Sequence, residues 1–130
     1  MNTVISCLLI LCILPLACAW IGGYFRQKQL GNIDNKEPRQ QAQQLTGAGA
    51  RAVAAQANSW EALALFTAAV VATAVSGVEL AKIANLALFF TALRIAYIPF
   101  YLANKDALRS LSFIGAYGIV MYIFYLALSN

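Results

Sequence analysis

Asn58, Glu61 and Arg94 stand inside stretches that are otherwise mostly Ala, Leu, Val, Ile and Phe, and Tyr97 and Tyr101 follow Arg94 at i+3 and i+7. An acid, a base, an amide and two phenols in apolar surroundings can do two kinds of work. They can bind helices to one another, or they can converge on a polar ligand. At 100° per residue, Arg51, Asn58 and Glu61 share an arc of about 80° while Trp60 points the other way, and Arg94, Tyr97 and Tyr101 fall within about 60°. Glu61 is ten residues from Arg51, and Arg94 is ten from Asn104. At 1.5 Å per residue both charges lie about 15 Å below the same boundary. A direct Glu61–Arg94 contact is therefore expected, because an unpaired charge at mid-membrane costs at least about 2.5–3.5 kcal/mol. Arg51 and Arg109 belong to the same end, and Pro99, between the tyrosines, is a candidate kink that opens a cleft there.

The elements that position these residues follow from composition. Of 130 residues, 62% are hydrophobic and 11% charged, whereas soluble domains are typically about half apolar and a quarter charged. A helix of roughly 20 apolar residues crosses a hydrocarbon core about 30 Å thick. Four such helices are predicted, over about residues 4–25, 50–76, 80–102 and 110–128, joined by a polar, Gln-rich loop over 26–49 and by two short turns. The fold class is all-α, an integral membrane four-helix bundle forming a single domain over 1–130. Short connections make successive helices antiparallel neighbours.

The net charge of +4 reports topology rather than nucleic acid. Arg26, Lys28, Lys36, Arg39, Arg51, Lys105 and Arg109 all fall on one side, and Lys82 alone on the other. The side rich in Lys and Arg should be cytoplasmic, with both termini on the non-cytoplasmic side. The first apolar run has no basic leader and is longer than a usual signal h-region, so it is read as a retained helix. Histidine is absent and Cys7, Cys12 and Cys18 all lie in that run. His-based triads and the usual zinc sites are excluded, no metal is expected, and the cysteines read as small packing residues. Ala64, Ala68 and Ala72 on the second helix form a small-residue stripe that suits self-association.

With those residues placed, the sequence resembles the MAPEG family of four-helix membrane proteins of eicosanoid and glutathione metabolism, and especially its short bacterial members. The resemblance covers about residues 47–128 and rests on RAVAAQANSWEALALF at 51–66, ALRIAYIPFY at 92–101 and LRSL at 108–111. Asn58 and Glu61 match the family's Asn-x-x-Glu, and Tyr97 and Tyr101 match its helix-three tyrosines. The resemblance implies a homotrimer in the bacterial inner membrane, with sites between subunits near the cytoplasmic side and an apolar substrate arriving from the bilayer.

In glutathione-using members, arginines hold the carboxylates of glutathione and one favours its thiolate. Carried over, this implies a cosubstrate site of Arg51, Asn58, Glu61, Arg94, Tyr97 and Tyr101, with Arg109 as the activating cation. The types fit the ligand: arginine forks suit carboxylates, Glu61 suits the ammonium, and a cation beside a thiol lowers its pKa from about 8.5. The implied activity is a glutathione-dependent transferase or peroxidase acting on lipophilic electrophiles or hydroperoxides. The chain departs from the pattern at Ala54, where those members usually carry arginine, and Arg51 stands one turn further out. That departure favours the alternative, a non-catalytic lipid-binding member of the same fold. A small multidrug transporter needs an acid in its first helix, and none lies between Val4 and Phe25.

Overall fold

The computed structural model describes residues 1–130. Five α-helices follow one another: α1 (Asn2–Leu30), α2 (Pro38–Ala42), α3 (Gly47–Val75), α4 (Ala84–Leu102) and α5 (Asp106–Leu128), with a 3₁₀ turn at Leu80–Ile83 leading into α4. Four segments are long and apolar enough to cross a membrane, those of α1, α3, α5 and the 3₁₀ turn with α4. No strand is present.

Helix ends lie where local chemistry stops them. α1 runs past its apolar stretch through Arg26-Gln27-Lys28-Gln29, good helix formers, so it is longer than its hydrophobic length predicts. It ends at Gly31, whose φ of 80° places it in the left-handed region and lets its N–H return to the Gln27 carbonyl. Asn104, the one non-glycine residue with positive φ, at 57°, turns the chain between α4 and α5. α5 begins at Asp106 rather than near residue 110, with that acid in its first turn, where the helix dipole favours it. Arg109 is thereby a helical residue instead of a loop residue. α4 stays helical through Pro99, which is exposed.

α1 lies along α3 and α4 along α5, while α4 also touches α1 and α3 and α5 also touches α3. The core is carbon packed around small residues. Phe66 and Phe90 stack at 4.6 Å between centroids and 11° between planes, among Val4, Leu11, Ile83 and Val120. Ala62, Ala69, Ala87 and Ala116 are buried beside them and let the backbones approach. Cys7 and Cys18 are buried and Cys12 is exposed, all three free.

The connection from α1 to α3 is an ordered clamp. Gln41 on α2 is buried; its Oε1 accepts the Asp34 N–H at 2.9 Å and Arg26 Nη1 at 3.4 Å. Its Nε2 donates to the Asn32 carbonyl at 3.0 Å and to Asn32 Oδ1 at 3.2 Å. Gln29 closes the loop from the other end, donating to the Thr46 carbonyl and accepting the Thr46 N–H, each at 3.1 Å. α3 can begin so close to α1 because Gly49 has no Cβ; one there would stand 3.0 Å from Cβ of Phe25.

Candidate functional site

α3, α4 and α5 bring six polar or aromatic side chains into one continuous line. At its centre is Arg94, 2% exposed, whose Nη2 donates to Asn58 Oδ1 at 2.7 Å and reaches the Asn58 carbonyl at 3.5 Å. Asn58 Nδ2 donates in turn to Glu61 Oε2 at 3.2 Å. On the other side, the Arg94 guanidinium lies 4.1 Å from the centroid of the Tyr97 ring. Tyr97 meets Tyr101 edge to face at 5.6 Å, and the Arg109 guanidinium covers the Tyr101 ring at 4.6 Å. A guanidinium over an aromatic face is attracted by the ring quadrupole, and more strongly where water is excluded. The line thus runs from a carboxylate at one end to a guanidinium at the other.

The direct Glu61–Arg94 contact expected from their common depth is replaced by a relay. Asn58 offers its carbonyl oxygen to the cation and its amide hydrogens to the acid. Helical rotation gives the reason: Glu61 is turned about 60° from Asn58 on α3, so its carboxylate swings to the outer surface while Arg94 points inward. Glu61 is exposed, and so is Trp60 beside it.

Two adjoining cavities open on this line. The larger, about 380 Å³, is lined by Asn58, Tyr97, Tyr101 and Arg109 together with Ser110 and Phe113 of α5. The smaller, about 90 Å³, lies deeper between α3, α4 and α5, with Glu61 and Arg94 at one side and Leu65, Phe90, Ala116 and Val120 as apolar walls. Asn58 and Phe113 belong to both. Charge and hydrogen-bonding groups therefore sit directly beside a slot suited to hydrocarbon.

Of the seven residues singled out from sequence, Asn58, Glu61, Arg94, Tyr97, Tyr101 and Arg109 come together, and Arg51 does not join them. Arg51 Nε donates to the Leu102 carbonyl at 3.2 Å, satisfying one of the free carbonyls at the C-terminus of α4. It lines neither cavity. The α5 residues Ser110, Phe113 and Ala116 were missed. The signal was present in the spacing Arg109, Phe113, Ala116, Val120, a stripe at i, i+4, i+7 and i+11 that continues one face from the arginine.

A separate groove of about 540 Å³ runs between α1, α2 and α3, with Arg26 and Arg39 toward the loop and Val53, Gln56, Ala57 and Trp60 along α3. Arg26 is held there by its bond to Gln41.

The family model described as the MAPEG family matches residues 3–129 of the chain. No curated protein and no solved structure matches it.

Proposed function

Since this chain belongs to the MAPEG family and is a multi-pass membrane protein, we propose that its cleft binds glutathione and delivers the thiolate to a lipophilic electrophile or hydroperoxide. The observation that carries this reading is the line from Glu61 to Arg109 along two adjoining cavities, with opposite charges at its two ends and apolar walls on the deeper one. Glutathione has an ammonium and two carboxylates. Glu61 matches the first, and the arginines match the second. Arg109, half-buried over Tyr101, is the cation placed to favour the thiolate. With an electrophile, once the thiol proton has gone to water, the sulfur lone pair forms the new bond to carbon and the leaving group departs with its electrons. With a hydroperoxide, the sulfur takes the distal oxygen as the O–O bond breaks, and the alkoxide takes a proton. A second glutathione then converts the sulfenic acid to disulfide and water. No histidine or metal is required for either route.

The same reading makes the protein a homotrimer. Glu61 is exposed on α3 within an apolar span, and Ala64 and Ala68 continue its face as exposed small residues. A carboxylate facing hydrocarbon is costly, so a neighbouring subunit is the natural cover. The loop-bearing end, with its seven basic residues, is assigned to the cytoplasm.

A second reading, a non-catalytic lipid-binding member, is favoured by one observation: Ala54 supplies no cation, and Arg51 is committed to the Leu102 carbonyl instead of the cleft. Thiolate absorbance of glutathione with the purified protein in detergent, measured beside turnover of a generic electrophile and a hydroperoxide, separates the two. Binding with turnover supports the enzyme. Absence of both overturns the enzyme reading.

A further inference from the structure

At the opposite end of the bundle from the cleft, a notch of about 480 Å³ opens between the start of α4 and the end of α5. It is lined by Val78, Leu86, Tyr122 and Leu126, with Lys82, Ser129 and Asn130 toward the end of the bundle. The mouth is shaped by its own bonds: Asn130 Nδ2 donates to the Ser76 carbonyl at 2.9 Å, tying the last residue to the end of α3. Tyr122 stacks with Tyr125 at 6.1 Å, as an aromatic pair at the boundary level does.

Lys82 is the only basic residue at this end of the bundle, and it sits in the 3₁₀ turn that leads into α4. Its ammonium is exposed and makes no ion pair, and its acidic neighbour Glu79 is exposed without lining the notch. A lone ammonium serving only as a boundary marker needs no cavity under it. Here the charge stands over an apolar recess, with Leu86 about one turn further into the membrane.

We propose that this notch is a phospholipid site, in which Lys82 takes the phosphodiester and Leu86 and Leu126 flank the start of an acyl chain. The occupant is identified by charge complementarity and by continuity with the bilayer: a single lysine, the Tyr122 hydroxyl on the same notch, and apolar walls beside them. The site is independent of the thiol chemistry at the other end. It gives the bundle a fixed lipid wedged between α4 and α5.

Native mass spectrometry of the full chain released from mild detergent tests this, with dioleoylphosphatidylglycerol, dioleoylglycerol and inorganic phosphate as separate probes. The phospholipid should be retained and dioleoylglycerol should not. Lys82→Ala should weaken phospholipid retention about fivefold, the scale of one lysine on an anionic headgroup. Lys105→Ala, a lysine at the other end, should leave it unchanged. Leu86→Trp, which fills the recess while keeping the charge, should also lower retention. Equal retention by Lys82→Ala, or retention of dioleoylglycerol equal to that of the phospholipid, would overturn the proposal. So would inorganic phosphate displacing the phospholipid, because the notch would then read a free ion.

Discussion

Around Phe66 and Phe90 the bundle is held by carbon alone: stacked rings, four buried alanines, and Ile83, Val120 and Ile123 closing the gaps. About two turns along α3, and one along α4, the same interface is filled by Asn58, Arg94 and Tyr97, with cavities instead of packed side chains. α3 and α4 contribute to both regions. The difference shows how a small membrane bundle divides its labour. Dispersion and close packing hold the apolar half, and that rigidity lets the other half keep open volume and a buried charge at fixed distances.

The largest loss of stability is expected on the apolar side. Phe66→Ala removes one of the stacked rings and leaves a cavity that its alanine neighbours cannot fill. The cost should be about 3–5 kcal/mol, read as a shift of the unfolding midpoint in mixed micelles. If Phe66→Ala costs less than any single change in the polar half, the division of labour is wrong.

Next comes an asymmetry within the polar half. Asn58→Ala takes from Arg94 its 2.7 Å acceptor while the guanidinium, its Nε already without a partner, stays buried. A hydrogen bond to a charged group is worth about 1.5–3 kcal/mol, and Asn58→Ala should cost that much. Arg94→Met removes the charge together with its need for partners, and apolar replacement of buried charges is often neutral or better. It should fold as stably as the parent chain or more so, yet lose glutathione binding. Arg94→Met proving more damaging to stability than Asn58→Ala would mean that the arginine is chiefly a brace between helices.

A smaller effect belongs to the loop. Gln41→Ala leaves Arg26, Asn32 and Asp34 to bond to water, which they can reach, so the overall loss should be about 1 kcal/mol. Local opening should show more strongly, as faster limited proteolysis within residues 31–46, with α3 to α5 untouched. Unchanged cleavage would show that the Gln29–Thr46 pair alone holds the segment.

The four spans were legible because hydrocarbon thickness dictates their length, and the meeting of six of the seven candidate residues because helical angle and depth restrict where a polar side chain can go. What escaped depended on competition between partners. Arg51 lies on the right face of α3, but the free carbonyl of Leu102 ends closer to it than the cleft does, and only the packing of α4 against α3 decides that. The Asn58 relay was hidden for a related reason: equal depth says nothing about the 60° rotation that carries Glu61 outward. Gln41 looked like one of many polar loop residues, and nothing in a Gln-rich stretch marks which amide becomes the hub. α5 starts a turn early because Asp106 suits a helix N-terminus, a local signal outweighed in sequence by the charged run around it.

Arg109 should show the smallest change in stability and the most informative change in function. Its guanidinium touches the Tyr101 ring and lines the larger cavity from the first turn of α5. It is only half-buried, so Arg109→Ala should cost about 0.5–1 kcal/mol, the scale of an exposed cation–π contact. If the arginine stabilises a bound thiolate, the variant should lose the thiolate absorbance of glutathione while the mixed-micelle midpoint hardly moves. Arg109→Lys keeps the charge without the planar stack, and should restore part of the thiolate signal. Full thiolate signal in Arg109→Ala would place the activating cation elsewhere in the cleft. Arg94 is the other cation along that line, and it reaches the larger cavity only through Asn58 and Tyr97. Activation by Arg94 would therefore fail in Asn58→Ala, whereas activation by Arg109 would persist there, and the pair of variants assigns the thiolate to one half of the polar line or the other.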